Sequence, residues 1–438
     1  MNIHSYFCNL FIFNLVFIIL AVSEFSPSAR NFQTDVLVNN TNNVKWYILG
    51  GSFHSNSTNE ILYLDLTKPF NTSSPPWNRS PIKLPMAIER GTACISSSSI
   101  FLIGGEISDP TSQTPNSSSF YTSNAEDLQW TIPNIAGVNK TFLERQNLRA
   151  VIDNYGRIFL FGGEQIPNGN VVSDMNIIDT NTMTWSMLSI QSMPRTAYTA
   201  TLLKNKCIIY IGGRSNISYT SYIDMNTIHI FNTTSYNWYN MQATGDKVSG
   251  RGWHSAVLTP NGTIIIYGGG TTTDFVPSYP LLATLDSTVD PMRWIIPDNS
   301  STTNSPPPLR SHSATLYNNF MIIAFGRIPD EISNDQYTLN NRVYIYDVLN
   351  NNWVTTMNRN SSSPPGNWSI TSGSSTTGGS STTGGSSTTG GSSTTGGRSN
   401  NLPVILIIIS AFIFIIILGF LIYRIYRKKQ TSYKGLTV

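Results

Sequence analysis

The sequence predicts an all-β protein, a ring of six four-stranded sheets, and three observations predict it. Apolar strands end in a glycine pair five times, at Gly50-Gly51, Gly104-Gly105, Gly162-Gly163, Gly212-Gly213 and Gly268-Gly269; a sixth strand, MIIAFGR, keeps Gly326 and has Arg327 in the second place. The first glycines lie 54, 58, 50, 56 and 58 residues apart. Six of the nine tryptophans keep the same beat: Trp77, Trp130, Trp185, Trp238, Trp294 and Trp353. Composition agrees: charged residues are only 12%, while 20 Tyr, 20 Phe and 9 Trp supply a core. Ser, Thr, Asn and Gly fill the gap, a mix that favours turns and short strands and excludes a helical bundle.

Each element of the repeat has a physical reason. Glycine after an inner strand lets the chain turn where a Cβ would collide. A tryptophan on an outer strand fills the space that widens between neighbouring wedges. Between them lies another strand, often closed by an acid or amide: Asp65, Asp179, Asn232, Asp286 and Asp347. Blade 2 (SFYTSN) is expected to lack the Asp at its third strand, its Asp127 falling elsewhere. Arginines open the first strands at Arg90, Arg149, Arg195, Arg251 and Arg310, and blade 1 shows no such opening. Thr34 to Val38 is expected either as the first strand of blade 1 or as the closure of blade 6. One four-stranded sheet cannot bury both faces, so the sheets must pack in a ring.

The glycine pair, the Asp or Asn, the Trp, and the openings RGWHSA at Arg251 and RSHSA at Arg310 together resemble the kelch repeat, whose unit is about 50 residues and four strands. The resemblance covers residues 31–358 and implies a six-bladed kelch β-propeller, with five or seven blades as the other counts. Within the family the chain looks galactose oxidase-like or attractin-like, in the manner of fungal-type single-pass membrane kelch proteins. It implies a ligand face built from loops after the glycine pairs and loops leading into the first strands. On that implication the candidate ligand-binding residues are Glu106, Glu164, Arg214, Arg251, Arg310 and Arg327, with Asp274, Phe275 and Tyr279 from the loop Gly270–Pro280. Against these stands a framework role for the arginines and a solvated surface for the loop.

The chain ends place the protein. Phe7 to Val22 is an apolar run of 16 residues closing on Ala21-Val22-Ser23, so residues 1–23 read as a signal peptide, or else as an uncleaved anchor, since no Lys or Arg precedes the run. Leu402 to Tyr423 is 22 residues without a charge, about 33 Å as a helix, enough for a bilayer core. Arg424, Arg427, Lys428 and Lys429 follow it, which puts residues 424–438 in the cytoplasm. A type I single-pass membrane protein is expected, its ectodomain extracellular or lumenal. Residues 359–401 hold four copies of Gly-Ser-Ser-Thr-Thr-Gly and read as a disordered stalk. Twelve sequons (Asn39, Asn56, Asn71, Asn78, Asn116, Asn139, Asn216, Asn232, Asn261, Asn299, Asn360 and Asn367) suit such an ectodomain, most of them as glycosylation sites. Cys94 and Cys207 sit in apolar strands and read as two buried free thiols rather than a bridge.

Charge and motifs narrow the function. The net charge of +3 comes from five basic residues after Tyr423; residues 24–423 balance at −2, so no nucleic-acid surface is implied. No Gly-x-Ser-x-Gly, His-Glu-x-x-His or phosphate-binding glycine loop occurs. A copper oxidase of the galactose-oxidase kind would need two His, two Tyr and a cross-linked Cys. Here His254 and His312 occupy the strand position that Tyr198 holds in blade 4, so they read as framework. No catalytic residue, cofactor or metal is assigned. The expected role is non-catalytic binding of a protein or glycan; a copper carbohydrate oxidase and an adhesion or sensor protein recruiting partners through its tail are the alternatives.

Overall fold

The computed structural model describes residues 25–40, 43–53, 56–108, 120–138, 145–166, 168–189, 192–215, 222–271, 276–297, 303–329, 337–358, 371–372 and 374–377. The expected signal peptide, membrane segment and cytoplasmic tail lie outside them. Two units are distinguished, Met1–Ser380 and Ser381–Val438, and the second is wholly outside the described residues. Among the described residues no helix is long and apolar enough to cross a membrane, which says nothing of 402–423.

Six blades follow one another along the chain, each built on four antiparallel strands, a to d from the axis outward; the blade 2 sheet is extended by Ser374–Thr377 and Thr371–Ser372, and the blade 5 sheet by Thr244–Gly245. Blade 1 is Thr34–Asn40, Asn43–Leu49, Ile61–Asp65 and Trp77–Arg79; blade 2 is Thr92–Ser96, Ser99–Ile103, Phe120–Asn124 and Trp130–Thr131. Blade 3 is Ala150–Ile152, Arg157–Phe161, Met175–Asp179 and Thr184–Leu188; blade 4 is Thr199–Leu202, Cys207–Ile211, Thr227–Asn232 and Trp238–Gln242. Blade 5 is Ser255–Leu258, Thr263–Tyr267, Leu282–Asp286 and Arg293–Ile295, and blade 6 is Ser313–Tyr317, Phe320–Ala324, Val343–Asp347 and Asn352–Val354. Thr34–Asn40 is thus the innermost strand of blade 1. The ring is also clasped outside, where Thr356–Met357 after blade 6 pairs with Phe70–Asn71 of blade 1.

A closed circle of main-chain hydrogen bonds fixes the blade count at six. One residue before each strand a donates its N–H to the carbonyl of its counterpart in the preceding blade: Arg90 to Phe32 (2.8 Å), Asn147 to Arg90 (3.0 Å), Ala197 to Asn147 (3.0 Å), Trp253 to Ala197 (3.0 Å), Ser311 to Trp253 (2.9 Å) and Phe32 to Ser311 (3.2 Å). The sixth bond returns to the first residue. All six hold φ between 54° and 58°, left-handed backbone that costs an L-residue about 1–2 kcal/mol. That conformation aims N–H at one neighbour and C=O at the other, which no extended strand does.

The glycine pair completes each seam. A Cβ on Gly162 would lie 2.5 Å from the Arg195 carbonyl of the next blade, and Gly163 N–H donates to that same carbonyl (2.8 Å). Farther out, each tryptophan packs on the preceding blade. Trp77 meets Phe325 at 5.2 Å, Trp238 meets Phe161 at 4.6 Å and Trp353 meets Tyr267 at 5.3 Å between centroids. Trp294 is fully buried and donates its indole N–H to the Met225 carbonyl (2.9 Å). Trp185 joins one apolar cluster with Phe101 and Phe120, and Trp130 packs against the cluster that holds Leu49 and Ile61 of blade 1. The core is therefore a set of inter-blade seams.

Five expectations change. In blade 6 the pair is Phe325-Gly326 rather than Gly326-Arg327: Phe325 takes the first glycine's left-handed backbone (φ 65°) and Gly326 N–H donates to the Arg30 carbonyl (2.8 Å) as the second glycine does elsewhere, so Arg327 is the residue after the pair. Blade 2 does have its turn residue: Asn124, six before Trp130, accepts the Glu126 N–H (2.9 Å) as Asp179 accepts those of Asn181 and Thr182. Blade 1 does have its arginine, Arg30, fully buried with its guanidinium on the Gly50 carbonyl (3.2 Å). The five sequence openers do not share one register. Arg195 and Arg251 lie two residues before the hydrogen-bonded ring, together with Arg30 and Arg145, whereas Arg310 lies one before it, Arg90 on it and Arg149 two after it. Finally, the stalk is not coil throughout: Thr371–Ser372 and Ser374–Thr377 form short strands, the second parallel to Thr92–Ser96. Cys94 and Cys207 are buried and free, as read from the sequence.

Candidate functional site

Glycine pairs and ring residues lie at one end of every blade, so a single face collects the loops on either side of them. Two registers supply its side chains, the residue just before the ring and the residue after the glycine pair, and main-chain bridges tie them together within each blade. Glu89 pairs with Glu106, Gln146 with Glu164, Thr196 with Arg214, Gly252 with Gly270 and Arg310 with Arg327. Backbone pairing satisfies the main chain there and leaves side-chain identity unconstrained.

The side chains form two aromatic stacks. Phe32 lies between Arg90 and Arg327, whose guanidinium carbons are 4.5 and 4.6 Å from its centroid; Arg327 also sits 4.0 Å from the Tyr337 centroid. Trp253 lies between Arg214 (5.7 Å) and Arg310 (5.3 Å). Cation–π contacts of this kind are worth about 0.5–2 kcal/mol each, rising with desolvation. Both stacked aromatics are ring residues, held in place by their own backbone.

Charge is unevenly distributed. Glu89, Glu106 and Glu164 stand on blades 2 and 3; Arg214, Arg310 and Arg327 stand on blades 4 and 6. Arg90 bonds Glu106 (2.9 Å) and Gln146 (3.3 Å), and Arg214 bonds Glu164 (2.6 Å). Burial lowers the Arg310 pKa to about 10, with the neighbouring charge of Arg327 adding to it, so the group stays cationic at neutral pH. Burial also lowers that of Arg327, with Arg90 acting in the same sense.

Of the residues expected on this face, Glu106, Glu164, Arg214, Arg310 and Arg327 gather there. Arg251 does not: it is fully buried and donates to the carbonyls of Ser249 (3.1 Å) and Gly268 (2.9 Å), a framework role. Tyr279 is exposed on the blade 5 loop, while Asp274 and Phe275 lie outside the described residues. Sequence reasoning did not single out Phe32, Arg90 or Trp253 as face residues. It also missed Arg145, which bonds the Gly162 carbonyl and forms a two-pronged pair with Asp174 (2.6 and 2.9 Å). A signal existed: Arg145, Arg195 and Arg251 each lie 17 residues before their glycine pair.

Beneath the ring His254 and His312 reach back one blade, their Nε2 atoms on Thr199 Oγ1 (3.1 Å) and Ser255 Oγ (2.8 Å), and Gln33 bonds Ser313 Oγ (3.0 Å) in the same way. Burial holds both imidazoles neutral, pulling His312 down to about 3 and His254 well below its ordinary value. Among the described residues no three of His, Cys, Asp and Glu converge as metal ligands. Six sequon asparagines lie among the described residues. Asn39, Asn56, Asn71, Asn78 and Asn261 are exposed; Asn232 is half-buried, its side-chain oxygen accepting the Thr234 and Ser235 N–H groups of a turn. Asn116, Asn139, Asn216, Asn299, Asn360 and Asn367 lie outside the described residues.

Comparison with known proteins gives a consistent picture. The chain matches the KLHDC2/KLHL20/DRC7 Kelch-repeats domain over residues 90–277 and 218–386, more than half of its length. It is 25% identical over 202 residues to Kelch repeat-containing protein 2 of Saccharomyces cerevisiae, covering 44% of this chain and 23% of that protein. It is 27% identical over 157 residues to Kelch domain-containing protein 3 of Rattus norvegicus, covering 34% of this chain and 40% of the other. A match to Acyl-CoA-binding domain-containing protein 4 of Arabidopsis thaliana is 26% identical over 156 residues, covering 35% and 22%. The chain thus spans less than half the length of these relatives.

Proposed function

The chain belongs to the kelch-repeat family, and from that premise we propose that it is a non-catalytic interaction propeller that docks a protein partner on the face carrying the two arginine–aromatic stacks. The observation that carries this reading is the sandwiching of Phe32 and Trp253 between pairs of arginines on rigid backbone. Arginine and aromatic side chains are the groups that most often anchor interfaces, and a rigid scaffold lowers the entropy lost on docking. Exposed Tyr279 and Tyr337 extend the apolar part of the face on blades 5 and 6.

The cellular setting belongs to the same proposal. The apolar segments at both ends and the exposed sequons support a type I glycoprotein that holds its propeller on the extracellular or lumenal side of a membrane, on a Ser/Thr/Gly-rich stalk. A glycan partner is the other ligand class the face suits, since aromatic rings and arginines also stack on and hydrogen-bond to sugars.

Surface labelling of intact cells by an enzyme fused to the ectodomain tests the docking reading. Partners captured by the wild type should be lost with Arg310→Ala/Arg327→Ala and retained with Lys204→Ala, in the exposed turn between Thr199–Leu202 and Cys207–Ile211 at the end of blade 4 away from its glycine pair. Retention with the double variant overturns the assignment of the face. Partner loss after deglycosylation of the neighbouring cells, with protein levels unchanged, assigns the ligand to glycans. Stoichiometric copper with a tyrosyl radical in the purified protein overturns the non-catalytic reading.

A further inference from the structure

Directly beneath the ring of main-chain hydrogen bonds, on the propeller axis, lies a cavity of about 40 Å³ whose walls include Gln33, Arg149, His254, Ser311 and His312. Such a space admits a few water-sized atoms, since one needs about 10–15 Å³ by this measure. It is too small for a sugar ring or a peptide segment, although Phe32, Arg90 and Trp253 of the docking face form its outer wall.

The walls carry polar atoms that nothing satisfies. Gln33 Oε1, His254 Nδ1, His312 Nδ1 and Ser311 Oγ are buried without a hydrogen-bond partner. The residues are not marginal: Gln33, His254 and His312 are 7%, 1% and 4% exposed. Each such atom left bare costs about 1–3 kcal/mol, and buried polar atoms in native proteins are almost always met by something. An anion in the cavity selects the tautomer in which Nδ1 carries the proton, with Nε2 then accepting from the hydroxyls of Thr199 and Ser255.

Charge decides what the occupant is. Arg30, Arg145 and Arg214 each have a carboxylate, in Glu60, Asp174 and Glu164. The Arg149 guanidinium faces the cavity without an ion pair among the described residues. The carboxylate whose charge acts on it, Asp35, makes no ion pair with it among the described residues and already accepts the Trp46 indole N–H (2.9 Å). The positive charges of Arg251, Arg149 and Arg195 all reach His254. A neutral water would satisfy the donors and leave this excess of positive charge uncompensated.

We propose that the axial cavity is a binding site for one small monovalent anion of chloride or formate size, with the Arg149 guanidinium as its main cation and His254, His312 and Ser311 as hydrogen-bond donors. The site shares Phe32, Arg90 and Trp253 with the docking face as walls, but its anion-binding groups lie beneath that face and do not depend on which partner it takes. It gives the six blades a common ligand at the point where their inner strands converge, so an occupied site should resist unfolding better than an empty one.

Thermal unfolding of the purified full-length protein at fixed ionic strength tests this, with sodium gluconate replaced stepwise by sodium chloride or sodium formate. Tm should rise and saturate with either small anion and stay flat in gluconate. Arg149→Gln should weaken the apparent affinity by at least about tenfold, and Asp35→Asn should strengthen it, because the opposing charge is gone. Equal Tm in chloride, formate and gluconate overturns the proposal, and so does an undiminished rise in Arg149→Gln. Should that variant fail to fold, crystals of the wild type soaked in bromide decide: an anomalous peak within hydrogen-bonding distance of Arg149 is expected, and its absence from the axis refutes the site.

Discussion

Replacing one glycine of a pair by alanine tests whether close backbone approach between blades is what the repeat conserves its geometry for. Gly162 is the clearest place, because Gly169 of the same blade provides an internal control. Both have positive φ, +62° and +72°, so both alanines incur left-handed strain of about 1–2 kcal/mol, partly offset by about 0.4–1 kcal/mol from a less flexible unfolded chain. At Gly169 the nearest atom to a new Cβ is Glu164 Oε1 at 4.0 Å, and nothing further is lost. At Gly162 the Cβ meets the Arg195 carbonyl at 2.5 Å and the Val172 carbonyl at 3.0 Å, both main chain and neither free to swing away. The blades must part, which breaks the Gly163-to-Arg195 hydrogen bond (2.8 Å) and loosens the seam. A buried main-chain bond left open costs about 1–3 kcal/mol and a disturbed seam about 1–3 more. Gly162→Ala is therefore expected to cost about 3–5 kcal/mol and Gly169→Ala about 1 or less. Urea unfolding followed by tryptophan fluorescence reads both. Equal shifts in midpoint for the two variants would refute the claim that inter-blade approach, rather than local backbone strain, sets the glycine requirement.

Three further outcomes follow from the geometry. His254 and His312 are neutral in the fold and protonate in the unfolded chain below its pKa near 6.5, so their contribution is complete above that pH. It declines by about 1.4 kcal/mol per pH unit per histidine as acid is added, until the folded value is reached, about 3 for His312. Asp35, whose pKa burial raises, works in the opposite sense: its contribution is present below the unfolded value and is lost as pH rises through the folded one. Tm measured from pH 7.5 to 5 should fall, and His312→Asn should reduce the slope; an unchanged slope contradicts the assignment. Asp174→Ala strands the buried Arg145 and is expected to cost about 2–4 kcal/mol, while Arg79→Ala, at a half-exposed partner of Glu60, costs under about 1; comparable losses would refute the distinction. Ala197→Gly relieves left-handed strain on the ring (φ 55°) and is expected to stabilise by about 0.5–1 kcal/mol, whereas a loss in the urea midpoint would show that the methyl group packs more than it strains.

What could be read from the sequence follows from which features the ring repeats. Glycine pairs and tryptophans recur because every seam needs a close approach near the axis and a large filler at the rim, so Gly162 and Trp238 were legible alone. The arginines were not, because several roles use one residue type. Arg251 holds main-chain carbonyls, Arg310 faces the docking surface and Arg149 lines the axis, yet all three stand near the start of a strand. Asn124 escaped notice because an amide does an acid's work in that turn. The outer clasp between Thr356–Met357 and Phe70–Asn71 joins segments nearly a whole propeller apart in sequence, where no local pattern can signal it. Phe32 and Trp253 escaped as site residues for another reason: their direction is set by the left-handed ring, not by the alternation of a strand.

That last point bears on how such a face acquires a partner. The ring bonds and the bridges behind it are made entirely by main-chain atoms, so they hold for Arg90, Asn147, Ala197, Trp253 and Ser311 alike. Side chains at these positions therefore differ from blade to blade with little effect on closure: the acids stand on blades 2 and 3 and the arginines on blades 4 and 6, with Arg90 of blade 2 the exception. The backbone is sixfold; the surface it displays has no symmetry. Stability and recognition are thereby carried by different atoms of the same residues, which is why exchanging Arg310 or Arg327 should alter binding far more than unfolding, while exchanging Arg145 or Gly162 should do the reverse.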